Sequence, residues 1–545
     1  MNKNEKPKTI KDAVHGYIEI ENLFISVINS PEFQRLKFVE QGSFRVLYLA
    51  ARHDRFIHSL GVYHLARLFS KNLIDNIRID LPDLKFNENE IKKYQNTFHY
   101  AALLHDIGHA PFSHTTEKFF EQSKLSDGKR KIDDDLINAV NSYIDASNEI
   151  ETDKQKQEEK FCKDYASSMQ KPKPHEIISA TILLNESDKL LAERIVEIDC
   201  EFAARMIIGC TYDYNNCEEE MLDNFGIKNC FIRLLNSDTM DVDKLDYITR
   251  DAFMTGFKNV SVDIVRLSKS VTAIKNGDGC IYPAFRKNSI SVIDNVFRAK
   301  KEHSNWVLSH PTVLYESELL KRAVYDLWGS DEIEKIFSIE SLGRTKNQND
   351  YFLFSDSDII PKMKEKVDFS GENIYNEIFD RSKRRKPIWK SYYEYKMLFG
   401  VEKDKELFAL FKPLIDILSN KYFVLNKTSY TSIKNDDNID DKAKSLADVL
   451  NNFAKGNGLK FSFAIINAKN QLELKFNPER IFFKFEKCAN KGYVAYSELI
   501  KKDTQESDDD YFYFYSEDKI TEKVLDDLKK RINELIKQNK DAMRA

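Results

Sequence analysis

Apolar positions in the first third of the chain recur at helical rather than alternating intervals. In HSLGVYHLARLFSKNLIDNI, Leu60, Leu65, Leu68, Phe69 and Leu73 repeat at helical intervals. SPEFQRLKFVEQG opens with a Ser-Pro start and spaces Phe33, Leu36 and Val39 in the same way. NTFHYAALLHDIGH reads as a buried helix that stops near Pro111, after a strand-like opening in YIEIENLFISVI. Helical patterning returns at HEIISATILLNE and persists to about residue 330. Between these stretches, residues 121–174 are charged and hold one helical pattern, DDLINAVNSYI, before an exit at KPKP. Beyond about residue 345 the texture changes. Aromatic and β-branched runs (YFLFS, KYFVL, FSFAII, LELKF, RIFFKFE, YFYFY) alternate with helical ones, and TEKVLDDLKKRINELIKQ closes the chain as an amphipathic helix. The pattern predicts a mainly α protein: a helical core over 1–340 carrying a charged insertion at 121–174, and an α+β lobe over 341–545.

Composition narrows the class. Of 545 residues, 42% are hydrophobic and 31% charged, which suits a globular protein with a substantial core. The net charge of −5 gives no global basic surplus for coating nucleic acid or an anionic membrane. Seven cysteines without a CxxC pair fit a reducing compartment better than a disulfide framework. The N-terminus lacks the apolar stretch of a signal peptide, and no run of about 18 apolar residues occurs. A cytoplasmic, non-membrane protein is the expectation.

Histidine is distributed unevenly. All 11 histidines lie at or before position 310, and seven of them fall between 53 and 114. A lone histidine on an apolar helix is usually a hydrogen-bonded core residue. ALLHDIGHAPFSH is different, because each imidazole or carboxylate crowded there needs its own partner when buried. On a continuous helix His105 and His109 share a face, and Asp106 points to the same region from about 100° around. His105 and Asp106 offer a divalent ion one nitrogen and one oxygen. His58 in RFIHSLGVYH and one of Asp241, Asp243, Asp246 or Asp251 in SDTMDVDKLDYITRD can complete the set. Two nitrogens and two oxygens with open positions suit manganese, iron, cobalt or nickel, and water on such an ion is a nucleophile at neutral pH.

The H…HD…D pattern resembles the HD phosphohydrolase superfamily. KTIKDAVHGYIEI, FQRLKFVEQG, RFIHSLGVYHLA, LLHDIGHAPFSHTTE, HEIISA and DVDKLDYITRDA follow the order found in its deoxynucleoside triphosphate triphosphohydrolases. The likeness covers about residues 8–320 and is nearest to the animal SAM-and-HD-domain dNTPases and their bacterial relatives. It implies His58, His105, Asp106 and Asp243 as metal ligands, with Asp241 structural. The implied reaction is hydrolysis at the α-phosphorus of a dNTP, giving a deoxynucleoside and inorganic triphosphate, with Mg²⁺ on the phosphates. His114 is then the candidate general acid, with Glu117 holding its other nitrogen. His109 and His175 face the phosphates, and Arg55 resembles the family's phosphate-binding arginine. Lys244, Tyr247 and Asp251 form a helical stripe for phosphate, sugar ring and 3′-hydroxyl, and Gln41 occupies a second sugar position. Lys300 or Arg298 supplies charge on a further helix, where a family tyrosine is replaced by Leu308.

The resemblance also implies a nucleotide effector beside the N-terminal block and a homo-oligomer: dimer, tetramer or hexamer. The family's guanine-reading aspartate is Asn29 here, flanked by Gln34 and Lys37. Asparagine both donates and accepts hydrogen bonds, so the expectation is an effector site with altered base choice. Some bacterial relatives lower dNTP pools against phage, which extends the same expectation to defence. Two other readings use the same residues: an HD enzyme of a signalling nucleotide such as (p)ppGpp or a cyclic nucleotide, and a nucleotide-sensing or nucleic-acid-binding scaffold with little turnover. The acidic charge balance counts against tight DNA binding.

Overall fold

The computed structural model describes residues 7–84, 87–122, 128–146, 151–168, 171–214, 219–257, 261–277, 279–343, 353–400, 404–468, 476–485, 492–500 and 511–544. The chain divides into two compact units. The first comprises Met1–His303, Trp328–Ile360 and Leu474–Thr504, and the second Ser304–Leu327, Pro361–Glu473 and Gln505–Ala545.

The first unit opens with an antiparallel hairpin, β1 (Lys8–Asp12) and β2 (Gly16–Ile20), in register Asp12↔Gly16. Gly16, at φ 79°, supplies the left-handed turn residue, and the Asp12 carboxylate accepts the Val14 and His15 N–H groups at 2.9 and 2.7 Å. Short helices α1 (Ile25–Asn29) and α2 (Pro31–Arg35) follow. Then come the long α3 (Arg55–Asp80) and α4 (Glu88–Leu104). α5 (Lys131–Asp145) and α6 (Glu151–Ala166) lie within the charged insertion, and α7 (Pro174–Leu191) and α8 (Cys200–Ile208) after it. α9 (Glu219–Leu235), α10 (Val242–Thr255) and α11 (Ile264–Ser270) lead into the strands β3 (Val271–Lys275) and β4 (Ile281–Arg286), and α12 (Ile290–His303) completes this stretch. α3, α4, α7 and α8 pack together as the heart of the unit.

Leu60, Leu65, Phe69 and Leu73 are buried as their spacing predicts, whereas Leu68 is half-buried at the edge of the stripe. Phe33, Leu36 and Val39 are fully buried, yet they span α2, a 3-10 turn and the extended residue after it, not one helix. A second correction matters more for the site. α4 ends at Leu104, so His105 and Asp106 sit on the turn beyond the helix and do not share a helical face with His109.

The 340/341 boundary drawn from sequence texture differs from the division of the chain. α13 (Pro311–Ile336) carries a kink at Gly329, beside the boundary at 327/328, and α14 (Asp356–Glu365) begins in the first unit. Strand Phe482–Lys484 pairs in parallel with β4 and places RIFFKFE in the first unit. An aromatic run advertises a strand but not its partner, so texture alone misses such an excursion.

The second unit has its own core. Its antiparallel sheet runs in the order Lys386–Pro387, Phe512–Ser516, Ser462–Asn467, Leu425–Asn426, and helices Asp404–Asn420, Asp441–Gly456 and Glu522–Arg544 pack with it. Strand Phe512–Ser516 is buried at every position, which explains why YFYFY is continuously aromatic rather than alternating. KYFVL contributes only a two-residue strand, and most of LELKF lies outside the described residues.

Candidate metal centre

Three helix ends bring the acid and imidazole groups together. Asp54 caps α3 by accepting the Ile57 N–H at 3.0 Å, which sets Arg55 and His58 on the first turn. The turn after α4 carries His105 and Asp106. Gly108 there donates its N–H to Ser179 Oγ at 2.8 Å, and a Cβ on it would lie 2.5 Å from the Ser179 nitrogen. Only glycine lets α7 approach this closely. Asp241 caps α10 by accepting the Lys244 N–H at 2.8 Å, which places Asp243 in the first turn.

His58 is fully buried, with Nε2 3.0 Å from Asp243 Oδ1 and 3.6 Å from Asp106 Oδ2. His105 Nε2 lies 3.4 Å from Asp106 Oδ1 and 3.6 Å from Asp243 Oδ1, and it is buried without a hydrogen-bond partner among the described residues. The other ring nitrogens are committed: His58 Nδ1 to Asp246 at 2.7 Å, and His105 Nδ1 to the Ala102 carbonyl at 2.8 Å. Two imidazoles thus turn Nε2 toward two carboxylates while their Nδ1 atoms are anchored outward, the arrangement a divalent ion requires of its ligands and their supports. The donor set fits the ion that the HD pattern implies. Asp243, with 31% of its side chain exposed against 9% or less for the other three, marks the open side.

Behind the ligands lies a support layer built on Asp246, which the sequence offered only as an alternative ligand, with His15, Arg250 and Asp12, to which it assigned no role. Asp246 receives His58 on one oxygen and His15 on the other, at 2.5 Å, and Arg250 bridges Asp246 to Asp12 at 2.8 Å on each side. Gly61 makes room for it, since a Cβ there would stand 2.0 Å from Asp246 Oδ1. Both His15 and Gly61 lie in the quoted blocks, KTIKDAVHGYIEI and RFIHSLGVYHLA, but their partners are far away in sequence. Burial works against a charged His58, but its hydrogen bonds to the Asp243 and Asp246 carboxylates outweigh it and push the imidazole up to about 10. Asp106 resists burial through the charges of Arg55, His105 and His109, and stays well below the usual carboxylate range.

A second group lies beside the first. His109 and His175 stack with centroids 4.0 Å apart, and His114 meets both rings edge-on at 4.8 and 5.1 Å. Glu117 holds His114 Nδ1 at 2.7 Å, as expected. It also accepts His175 Nδ1 at 2.5 Å and the His175 N–H at 3.0 Å, which was not expected. Burial pulls His114 down to about 4 against the pull of Glu117. Its neutral ring therefore donates from Nδ1 to Glu117 and presents a bare Nε2.

The remaining candidates separate into those at the ligands and those elsewhere. Arg55 donates to Asp106 (2.8 Å), Ser113 Oγ (2.9 Å) and the Gln41 carbonyl (3.1 Å), so it anchors a ligand and, among the described residues, keeps two of its five N–H groups. The Gln41 side-chain oxygen is buried with no hydrogen-bond partner among the described residues. Lys244 turns back to Asp241 and to the Ser237 carbonyl at 2.6 Å, away from the expected phosphate stripe. Tyr247 lies 5.7 Å from the His303 ring. Asp251 is gripped from both sides, by His53 and His303 Nε2, each at 2.7 Å. Lys300 is buried 4.5 Å over the Phe476 ring, whereas Arg298 is exposed. Asn29 is exposed and receives Lys8 at 3.4 Å. Ser30, not Asn29, caps α2. Gln34 donates to the Ile28 carbonyl, and Lys37 donates to Gln34, both at 2.6 Å.

A model of the HD domain matches residues 55–205, which hold three of the four candidate ligands. The chain is 37% identical over 140 residues to the deoxynucleoside triphosphate triphosphohydrolase SAMHD1 homolog of Dictyostelium discoideum, a match covering 25% of each chain. It is 39% identical over 108 residues to deoxynucleoside triphosphate triphosphohydrolase SAMHD1 of Homo sapiens, covering 20% of this chain and 16% of that one. An uncharacterized protein of Methanocaldococcus jannaschii is 24% identical over 58% of this chain and 49% of its own. The chain thus spans less than half the length of these relatives. A hypothetical protein from Aquifex aeolicus has a similar fold in its crystal structure, with a TM-score of 0.55 at 16% identity over 96% of this chain and 100% of that one. No helix among the described residues is long and apolar enough to cross a membrane. Residues 55–205 thus match the HD domain, and stretches of the chain are similar to the deoxynucleoside triphosphate triphosphohydrolases.

Proposed function

We propose that this protein is a divalent-metal-dependent phosphohydrolase that converts dNTPs to deoxynucleoside and inorganic triphosphate. The observation that carries this reading is the convergence of His58, His105, Asp106 and Asp243, with both Nε2 atoms turned inward and His105 Nε2 left unsatisfied. When bound there, manganese, iron, cobalt or nickel supplies Lewis acidity and an activated water. Asp246 and the Ala102 carbonyl fix the tautomers of the two histidines, and Arg55 fixes Asp106.

His114 handles the proton of the departing 5′-oxygen. Its resting form is neutral with a bare Nε2, so it needs the negative charge of a bound triphosphate to take up the proton it then donates. Glu117 orients His114 and His175 together, and the stacked His109–His175 pair forms the phosphate-side wall. Magnesium on the phosphates and the two uncommitted N–H groups of Arg55 offset the remaining charge. Tyr247 and Asp251 face the sugar in this reading, with Asp251 held rigid by His53 and His303. Lys244 serves to hold the Asp241–Asp243 turn. A nucleotide effector at Asn29, Gln34 and Lys37, a homo-oligomer and a part in anti-phage defence extend the same proposal.

Purified protein incubated with each dNTP, singly and mixed, with Mn²⁺ or Mg²⁺, gives triphosphate and deoxynucleoside if the reading is right. Pyrophosphate or a linear nucleotide as product reassigns it to signalling-nucleotide chemistry. His105→Ala removes one ligand and is expected to lose both the bound metal and at least about 100-fold in rate. Titration of NTPs into the assay tests the effector, and no activation by any of them removes it.

A further inference from the structure

We propose that Asp356, which the sequence patterns leave unassigned, is a positioning residue for this reaction. Its carboxylate locks a left-handed corner at Phe112–Ser113 that aims Arg55 and His114. The inference rests on the phosphohydrolase reading. Phe112 and Ser113 adopt φ 58° and 52° in succession, and neither is glycine. L-residues avoid this region because Cβ crowds the neighbouring carbonyl, so two in a row persist only where the surroundings impose them. The corner lies between the Asp106 ligand and His114.

Two fastenings from distant parts of the chain impose it. Asp356, the first residue of α14 and buried, accepts the Phe112 N–H on Oδ1 at 2.6 Å and the Glu40 N–H on Oδ2 at 3.0 Å. Arg35, also buried, donates to the Phe354 carbonyl at 2.8 Å and to the Ile107 and His109 carbonyls at 2.8 and 2.9 Å. Segment 354–356 is therefore laced to both ends of the turn that carries the histidines. Inside the corner, Ser113 Oγ donates to the Glu40 carbonyl and receives Arg55 Nε at 2.9 Å, and the same guanidinium holds Asp106. The chain of contacts runs Asp356, Phe112–Ser113, Arg55, Asp106.

The position requires two accepting oxygens. Two N–H donors approach separate oxygens, and an asparagine of the same shape satisfies one donor and turns its own NH₂ against the other. Asp356→Asn in the full chain, loaded with Mn²⁺, is expected to lower kcat by roughly 10- to 100-fold, the cost of a reacting group displaced by about an ångström. KM and bound metal are expected to stay within about two-fold, because all four ligands remain. Hydrogen–deuterium exchange of the peptide spanning 107–116, measured without substrate, is expected to quicken selectively. A kcat per metal-loaded molecule within two-fold of the parent overturns the proposal, as does a loss matched by lost metal or folded protein, or unchanged exchange in that peptide. If the parent hydrolyses no dNTP, the functional reading fails, while the exchange measurement still judges the corner.

Discussion

His58 has a buried ring hydrogen-bonded on both nitrogens by carboxylates, and that pairing makes the metal-free protein pH-sensitive in a definite direction. Its folded value, pushed up to about 10, exceeds the unfolded value of about 6.5. Protonated His58 therefore stabilises the fold fully below about pH 6.5, and this stabilisation is lost as pH rises through about 10. Asp106 and Asp246 are held below their usual range, so their contribution is present above about pH 4 and lost as pH falls further. An ion on Nε2 displaces the His58 proton. Urea midpoints measured from pH 6 to 10 are expected to decline in chelator and to stay flatter with Mn²⁺ bound. Equal slopes in the two conditions contradict the ligand assignment. The adjacent His105–Asp106 pair was legible at this scale because it is local. The Asp246–His15 contact and the His53–Asp251–His303 clamp were not, since nothing in the spacing of single residues says which of them meet.

Among the elements, helix caps do the placing. Asp241 satisfies the first turn of α10, and it also neutralises Lys244, which is buried at 1% exposure. Asp241→Ala removes the cap, at about 0.5–2 kcal/mol. It also strands a buried ammonium, which makes the total about 3–5 kcal/mol. Metal affinity is expected to fall with it, because Asp243 follows two residues later. Thermal unfolding and metal titration of the variant check both. The helix cores were readable from apolar spacing, as Leu60, Leu65, Phe69 and Leu73 show. The helix end at Leu104 was not, because ALLHDIGH continues the apolar rhythm past the point where Gly108 and α7 turn the chain.

For the whole molecule, each unit carries a separate hydrophobic interior. In the second, Phe512 stacks on Phe411 at 4.1 Å and its carbonyl receives the Trp389 indole N–H at 2.8 Å. Phe512→Ala is expected to cost about 3–5 kcal/mol, read as a lowered urea midpoint. Aromatic and β-branched runs pointed to strands in this part of the chain. They could not foretell that residues 482–484 return to pair with β4, because a short apolar strand fits many sheet edges equally well.

The bareness of Gly61 bears on how other sequences are read. A methyl group there would press on a carboxylate already gripped by His15, His58 and Arg250, and so has nowhere to push it. A homologue with alanine at this position would keep the full H…HD…D signature while His58 loses its backing. A search for the signature alone would count that chain as an enzyme. The glycine three residues after the first histidine is the cheaper and sharper thing to look for.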